Sequence, residues 1–419
     1  MNDESSGSAP PSRPRATVTP LRPRSRVGLR IGGSDAPERR EVIVGFIPLT
    51  DCAPVAVASA LGFDRKHGLI IRPKREGSWA AVRDKLMNGA IDAAHSLYGL
   101  VYDIQLGIGG PRHDMAVLMT LNQNGQAITL GNHLRDAGVT DATTLSRHLA
   151  TRHGELAFAH TFPTGTHAMW LYYWLAAHGI DPLADAQTLT VPPPQMVTQL
   201  RLSDIDGYSA GEPWNAQAVH EGVGFTVATS QQVWPDHPEK VLATTTEFVR
   251  QYPNTARALV MALLEAARYI DNPAHHEMVA HVLAARGCVN TDTGLLLPRL
   301  RGEYKDGLGH GWNDGRAVRF HGGGSVNYPY LSDGMWFMTQ HRRWGLLKQD
   351  PDYLAVARQV NRIDVYAQAA TAVGVPLPSS PLRNSTLIDG QYWNGHDPAG
   401  YARGFPIMAA ATRARSNLM

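Results

Sequence analysis

The chain has 419 residues, of which 43% are apolar and 18% charged, and its formal net charge is +2. That length is too great for one small core and predicts two lobes. The near-neutral balance argues against a nucleic-acid-binding surface spread over the whole molecule, and no run of about 20 apolar residues exists to cross a membrane.

Residues 1–40 carry eight arginines, six prolines and four acids, a composition that predicts a disordered leader. They contain no apolar run of the roughly 7–15 residues that a secretory signal uses, and no lipid-attachment cysteine. The expectation is therefore a protein made and kept in the cytoplasm. Structure is predicted to begin at Glu41, with a strand to Pro48 and a helix from Ala53 to Leu61 capped by Thr50 or Asp51 and stopped by Gly62. A strand at Gly68–Arg72, a Ser78-capped helix Trp79–Asn88 and a strand-like Ile91–His95 follow. Strands alternating with helices imply an α/β layer with parallel pairing.

The expected organisation is lobe 1 over 41–129, lobe 2 over 130–229, a helical return to lobe 1 over 230–374 and a C-terminal wrap over 375–419. Lobe 2 is predicted to hold a strand at Leu156–Ala159, a helix opening at His167, a strand at Leu189–Val191 and a helix Gln195–Leu202. The return is predicted to hold helices Thr244–Gln251, Asn254–Asp271 and Ser332–Gly345. A weak internal echo supports two similar lobes: Leu86–Ala93 and Leu200–Gly207 both read as a helix end, a turn, then Ile-Asp entering a strand.

The most informative stretch is Phe162-Pro163-Thr164-Gly165-Thr166-His167, a Gly/Thr loop running straight into a helix. The first N–H groups of such a helix have no internal partner and, with the helix dipole, suit a small anion. Trp79 offers an indole N–H that donates only. Asn122–Thr129, including Gln126, is a polar run that can donate without adding charge. His167 at a helix start is disfavoured from protonating. Glu212, Trp214 and Asn215 follow a strand end, the usual mouth of an α/β cleft, and Lys240 supplies one cation. Each also admits a structural reading: Trp79 as a core indole, the amide run as a turn, Glu212 as a helix N-terminal carboxylate, Lys240 as a surface lysine.

There is no GxSxG elbow, no Walker loop and no GxGxxG after a strand. His275, His276, Glu277 and His281 lack a metalloprotease spacing and read as a solvated helix face. Gly322–Gly324 reads as a flexible connection. Cys52 and Cys288 form no CxxC pair and no disulfide framework, and are expected as reduced thiols. No cofactor, metal or catalytic residue is expected.

Gly45-Phe46-Ile47-Pro48-Leu49-Thr50-Asp51-Cys52-Ala53-Pro54, Ser78-Trp79, Asn124–Thr129, Thr164–His167, Pro192-Pro193-Pro194-Gln195-Met196 and Gly211-Glu212-Pro213-Trp214-Asn215 together resemble the nitrate/bicarbonate-binding family of solute receptors. The resemblance implies the type II periplasmic-binding-protein fold, two α/β lobes around a ligand cleft. It implies a nitrate or nitrite site of Trp79, Gln126, His167 and Lys240, with Gly165 and Thr166 from the loop and Glu212 as a nearby acid. Lysine at 240 favours the nitrate members over the bicarbonate members. The family has an exported branch that feeds an ABC permease and a cytoplasmic sensor branch of the NasS type. In the latter the anion releases an RNA-binding antiterminator of the NasT (ANTAR) type, and the receptor touches no nucleic acid itself. The missing export signal selects the sensor, with the transport receptor as the alternative. An enzyme on the same scaffold would need a reactive side chain, for which Cys52 with His95 is the pair to nominate.

Overall fold

The computed structural model describes residues 35–151 and 155–416. The leader expected over 1–40 falls outside the described residues except for its last six, and these correct the boundary. The Glu38 carboxylate accepts the backbone N–H groups of Asn254 (2.9 Å) and Thr255 (2.8 Å), and Arg39 pairs with Asp92 at 2.6 Å. A carboxylate at a helix N-terminus is favoured by orphan donors and by the dipole, so the chain is anchored before Glu41.

Ten strands form two five-stranded sheets. The first contains β1 (Glu41–Phe46), β2 (Ile70–Arg75), β3 (Ala93–Leu97), β4 (Met115–Thr120) and β10 (Lys240–Thr245), in the order β2-β1-β3-β10-β4. The second contains β5 (Gln126–Gly131), β6 (Leu156–His160), β7 (Ala186–Thr190), β8 (Gly207–Gly211) and β9 (Gly224–Thr229), in the order β7-β6-β8-β5-β9. The helices that matter for the site are α1 (Ala53–Leu61), α2 (Trp79–Met87), α3 (Tyr98–Leu106), α4 (Thr166–Ala177), α5 (Pro253–Ile270), α6 (His276–Ala284) and α7 (Leu331–Arg343).

The parallel expectation holds for β2-β1-β3 and for β7-β6-β8. It fails for β10, antiparallel to β3 and β4, and for β5, antiparallel to β8 and β9. Both are the first strands laid down after the chain changes lobes. Each enters its new sheet from the interlobe end and so runs opposite to the neighbouring strands it pairs with. The expected lobe boundary at 129/130 is therefore corrected: it falls inside β5, and the crossing is made by residues 121–125. Thr244 and Thr245, expected in a helix, end β10 instead. The internal echo lands on equivalent places, the turns that lead into β3 and β8.

Local chemistry sets the element ends. Gly62, at φ 83°, stops α1 in a left-handed conformation open to glycine. The Ser78 hydroxyl accepts from the Ala81 N–H at 3.2 Å and starts α2. In lobe 1, α5 packs its apolar face on α1. Helix α7 lies against α3 of lobe 1 and α4 of lobe 2, with Trp336 5.2 Å from Trp170 and 4.8 Å from Trp234. Residues beyond 375 run along α7: Trp393 Nε1 donates to Ser332 O, and Arg343 Nε to Ile407 O, each at 3.0 Å. No described helix is long and apolar enough to cross a membrane.

Candidate functional site

The two crossing segments run antiparallel between the lobes. Leu121 N donates to Lys240 O (2.7 Å), Glu239 N to Asn122 O (3.1 Å) and Asn124 N to His237 O (3.3 Å). This pairing delivers Gln126 as the first residue of β5 and Lys240 as the first of β10. Two equivalent strand-to-helix turns face them. The β1–α1 turn brings Asp51; the β6–α4 turn brings Thr161, Thr166 and His167. Neither α1 nor α4 has a side-chain N-cap, so Asp51, expected as a possible cap, is released for other work.

That work is to join the lobes. Asp51 accepts from His95 Nε2 at 2.8 Å on one oxygen, and from Gln126 Nε2 at 3.0 Å and Lys240 Nζ at 2.8 Å on the other. His167 Nε2 is 2.7 Å from Gln126 Oε1, and its Nδ1 is 2.6 Å from Thr161 Oγ1. With the Gln126 amide nitrogen donating to Asp51, its oxygen accepts from His167 Nε2–H, and Thr161 donates to Nδ1. Lys240 Nζ also donates to Glu239 Oε1 at 2.8 Å. Glu239 further accepts from the Thr166 hydroxyl and, at 2.6 Å, from Trp170 Nε1. An internal carboxylate thus stands against the first turn of α4, where the sequence pointed to a ligand anion. The Trp79 ring lies 5.8 Å from the Lys240 ammonium. Its indole N–H, though buried, has no hydrogen-bond partner.

The charges follow from burial and pairing. Burial by itself would raise Asp51, but Lys240 and His95 more than offset this and hold it well below the usual carboxylate range. Burial would lower Lys240; Asp51 and Glu239 reverse that and keep it charged. Burial dominates at Glu239, leaving its carboxyl raised despite Lys240. Burial, with Lys240 adding to it, pushes His167 well below its ordinary value, so the ring is neutral. Of the two cluster carboxylates, Glu239 is the one nearer to taking a proton.

The structure therefore brings Trp79, Gln126, His167 and Lys240 together, with Thr166 beside them. Lys240 is fully buried, against the surface alternative. Gly165 serves by closeness: a Cβ there would come within 2.4 Å of Leu97 Cδ1 in the facing lobe. Glu212 is not part of the cluster. Its carboxylate pairs with Arg299 Nε at 2.9 Å and accepts from Ala216 N at 3.0 Å, while its backbone oxygen accepts the Thr50 N–H across the lobes at 2.7 Å. It is a structural carboxylate, because buried Arg299 offers a full charge where the cluster's one lysine is already taken. His95 bonds Asp51, not Cys52, so the nominated enzyme pair is not assembled.

Sequence reasoning missed Asp51, Glu239, Thr161, Trp170 and the partnership of His95. The signal for Asp51 was its place just past the end of a buried strand; that for Glu239 was an acid adjacent to the nominated lysine. A cavity of about 600 Å³ opens beside the cluster, lined by Trp79 and Arg83 from lobe 1, Thr161, Phe162 and Pro192 from lobe 2, and Lys348.

Two α/β lobes closed over a buried cluster of donors at their crossings define a solute-binding receptor. Residues 35–284 match the NMT1-like family. The chain is 37% identical over 384 residues to the nitrate/nitrite binding protein NrtA of Synechocystis sp., covering 88% of this chain and 86% of that protein. It is 31% identical over 407 residues to the bicarbonate-binding protein CmpA of Synechococcus sp., covering 90% and 89%. The crystal structure of the periplasmic nitrate-binding protein NrtA from Synechocystis matches with a TM-score of 0.85 at 37% identity, over 89% of this chain and 100% of that one. The chain belongs to the NMT1-like family and has the periplasmic-binding-protein fold. It is a binding protein, as these relatives are, and not an enzyme.

Proposed function

We propose that this protein binds nitrate or nitrite in the interlobe cluster, in the cytoplasm, and thereby releases an RNA-binding antiterminator of the NasT type. The observation that carries the anion half is the convergence of Lys240, Gln126, His167 and Trp79, the last with an unpartnered buried N–H. A flat anion with one delocalised charge and weak acceptors suits donors around a single cation. Arg83 and Lys348 outnumber Asp103 among the charged residues that line the cavity beside the cluster. NrtA, named for nitrate and nitrite, supports the same ligands. A micromolar site would be worth about 8 kcal/mol.

The donors are already turned toward Asp51 and Glu239, so an entering anion competes with internal carboxylates. Lys240 and Gln126 stand on strands of different sheets, and both bond Asp51. Transferring their hydrogens from carboxylate to ligand would therefore alter how the lobes meet. A ligand releases a partner only through different affinity for two forms of the receptor; the form with Asp51 and Glu239 holding the donors is the one assigned to the partner. Isothermal calorimetry with nitrate, nitrite and bicarbonate tests the anion half, which fails if neither nitrogen oxyanion gives heat. The regulatory half rests on the resemblance to the sensor branch. Equal affinity for the antiterminator with and without nitrate would remove it.

A second reading, a transport receptor delivering nitrate or bicarbonate to an ABC permease, is favoured by one finding: the solved NrtA is a periplasmic protein. Cell fractionation separates the two, since the sensor reading requires a cytoplasmic pool.

A further inference from the structure

The chain has two cysteines in all. Though 236 positions apart, Cys52 and Cys288 are folded to a sulfur–sulfur distance of 3.7 Å, as free thiols, in the apolar core of lobe 1. Chance does not readily place a chain's entire thiol content in mutual contact. The two surroundings also differ. Cys52 is 1% exposed and ends the turn that carries Asp51. Cys288 is 7% exposed and closes a surface turn after α6, its N–H donating to Ala285 O at 2.9 Å. Ala285, Arg286 and Gly287 of that turn are exposed, and nothing lies within 4 Å of where a Cβ on Gly287 would sit.

We propose that Cys52 and Cys288 are a site of reversible oxidation, closing to an intramolecular disulfide when the protein meets hydrogen peroxide. The proposal does not depend on what anion the cleft holds. A disulfide needs the sulfurs about 2.05 Å apart, and the open turn at 285–288 is the part with room to supply the movement. Cys288 is the first nucleophile. The contact with Cys52 and the Arg75 guanidinium favour its thiolate despite burial, whereas burial and the Cys288 contact push the Cys52 thiol up. The Cys288 thiolate attacks one peroxide oxygen; the O–O bond breaks, a proton is taken up, and sulfenic acid and water result. The Cys52 sulfur then attacks the sulfenic sulfur, the S–O bond breaks, and a second water leaves with the thiol proton. Two thiols are oxidised and one peroxide is reduced. The new bond fastens the Asp51 turn to the α6 turn.

The test uses the full chain, reduced, desalted and treated with hydrogen peroxide, then denatured and alkylated. The expected product is a monomer about 2 Da lighter than the reduced protein, with no alkyl group added and Cys52 and Cys288 in one linked peptide, reversed by dithiothreitol. Its Tm is expected to rise by several degrees over the reduced form, because the cross-link closes a long loop in the unfolded chain. Two thiols still open to alkylation, oxygen addition without a link, or a disulfide-linked dimer would each overturn the proposal. In Cys52→Ser, dimedone is expected to trap a sulfenic acid at Cys288, while in Cys288→Ser, Cys52 stays unreactive; the reverse pattern overturns the assignment.

Discussion

The two lobes present equivalent strand-to-helix turns to each other and fill them with opposite chemistry. The turn from β1 into α1 offers a carboxylate, Asp51. The turn from β6 into α4 offers hydroxyls and a neutral imidazole, Thr161, Thr166 and His167. Neither turn spends its polar side chain on capping its own helix. The difference teaches that a binding cleft can be built so that its halves satisfy each other first. Lys240 and Gln126, arriving from the crossings, hand hydrogens to the acid turn, and a ligand must offer them something better.

Removing the shared cation breaks this balance most severely. Lys240→Ala is expected to weaken nitrate binding at least roughly tenfold, about 1.4 kcal/mol. It leaves Asp51 buried and uncompensated, so the fold should also lose about 3–5 kcal/mol, a typical cost of breaking a buried pair. Calorimetry and urea unfolding read the two effects. Unchanged affinity would take the lysine out of the site, and unchanged stability would take Asp51 off the lysine.

Acid should break the histidine side first. Burial holds His160 at about 4 and His237 at about 3 in the fold, against 6.5 for a free histidine. Between those values the unfolded chain binds protons that the folded chain refuses, so stability falls as pH drops below 6.5. The slope is roughly 1.4 kcal/mol per pH unit for each of the two. Asp51, depressed in the fold, keeps its contribution above about pH 4 and loses it only below. Denaturant midpoints that stay level from pH 7 to 5 would show that these rings protonate freely.

Trp79→Phe keeps an aromatic face but removes the unpartnered N–H and shrinks the ring. It should cost nitrate affinity about 1 kcal/mol, the net worth of one hydrogen bond, and lower Tm somewhat, since the site is fully buried; equal affinity would mean the indole serves packing alone. Glu239→Gln works in the opposite sense. It removes the internal carboxylate that holds Lys240 and Thr166, so nitrate should bind several-fold tighter, and wild-type affinity should rise as pH falls toward the raised Glu239 value. Weaker binding in that variant would make Glu239 a support for the ligand, not its rival. The smallest effect is reserved for Glu212→Gln. Its carboxylate belongs to Arg299, so nitrate affinity should be nearly unchanged while stability drops; a tenfold loss of affinity would restore it to the site.

Much of this was legible in the residues. Ser78 before Trp79 and Gly62 after Leu61 fix their helix ends by local hydrogen bonding and backbone freedom, which need no distant partner. The resemblance carried Trp79, Gln126, His167 and Lys240 to one place. What stayed hidden was contact between distant segments. Asp51 reads as a cap because a carboxylate before a helix usually is one. Only the arrival of His95, Gln126 and Lys240, from 44, 75 and 189 positions away, turns it inward. The lobe boundary was misjudged by a few residues for the same reason: β5 and β4 are both apolar strands, and which sheet each joins is a matter of pairing, not composition.

By itself, then, the order of residues determined the alternation of strands and helices and most helix starts and stops, since these depend on neighbours within a turn or two, and its motifs carried the resemblance that named the donors. The tertiary structure alone decided that two antiparallel strands would be inserted at the crossings, that Glu212 would leave the cleft for Arg299, and that one buried lysine would be shared between Asp51 and Glu239. Those outcomes follow from long-range burial, where an unpaired charge is costly enough that each carboxylate's role is set by whichever cation or donor the fold brings to it.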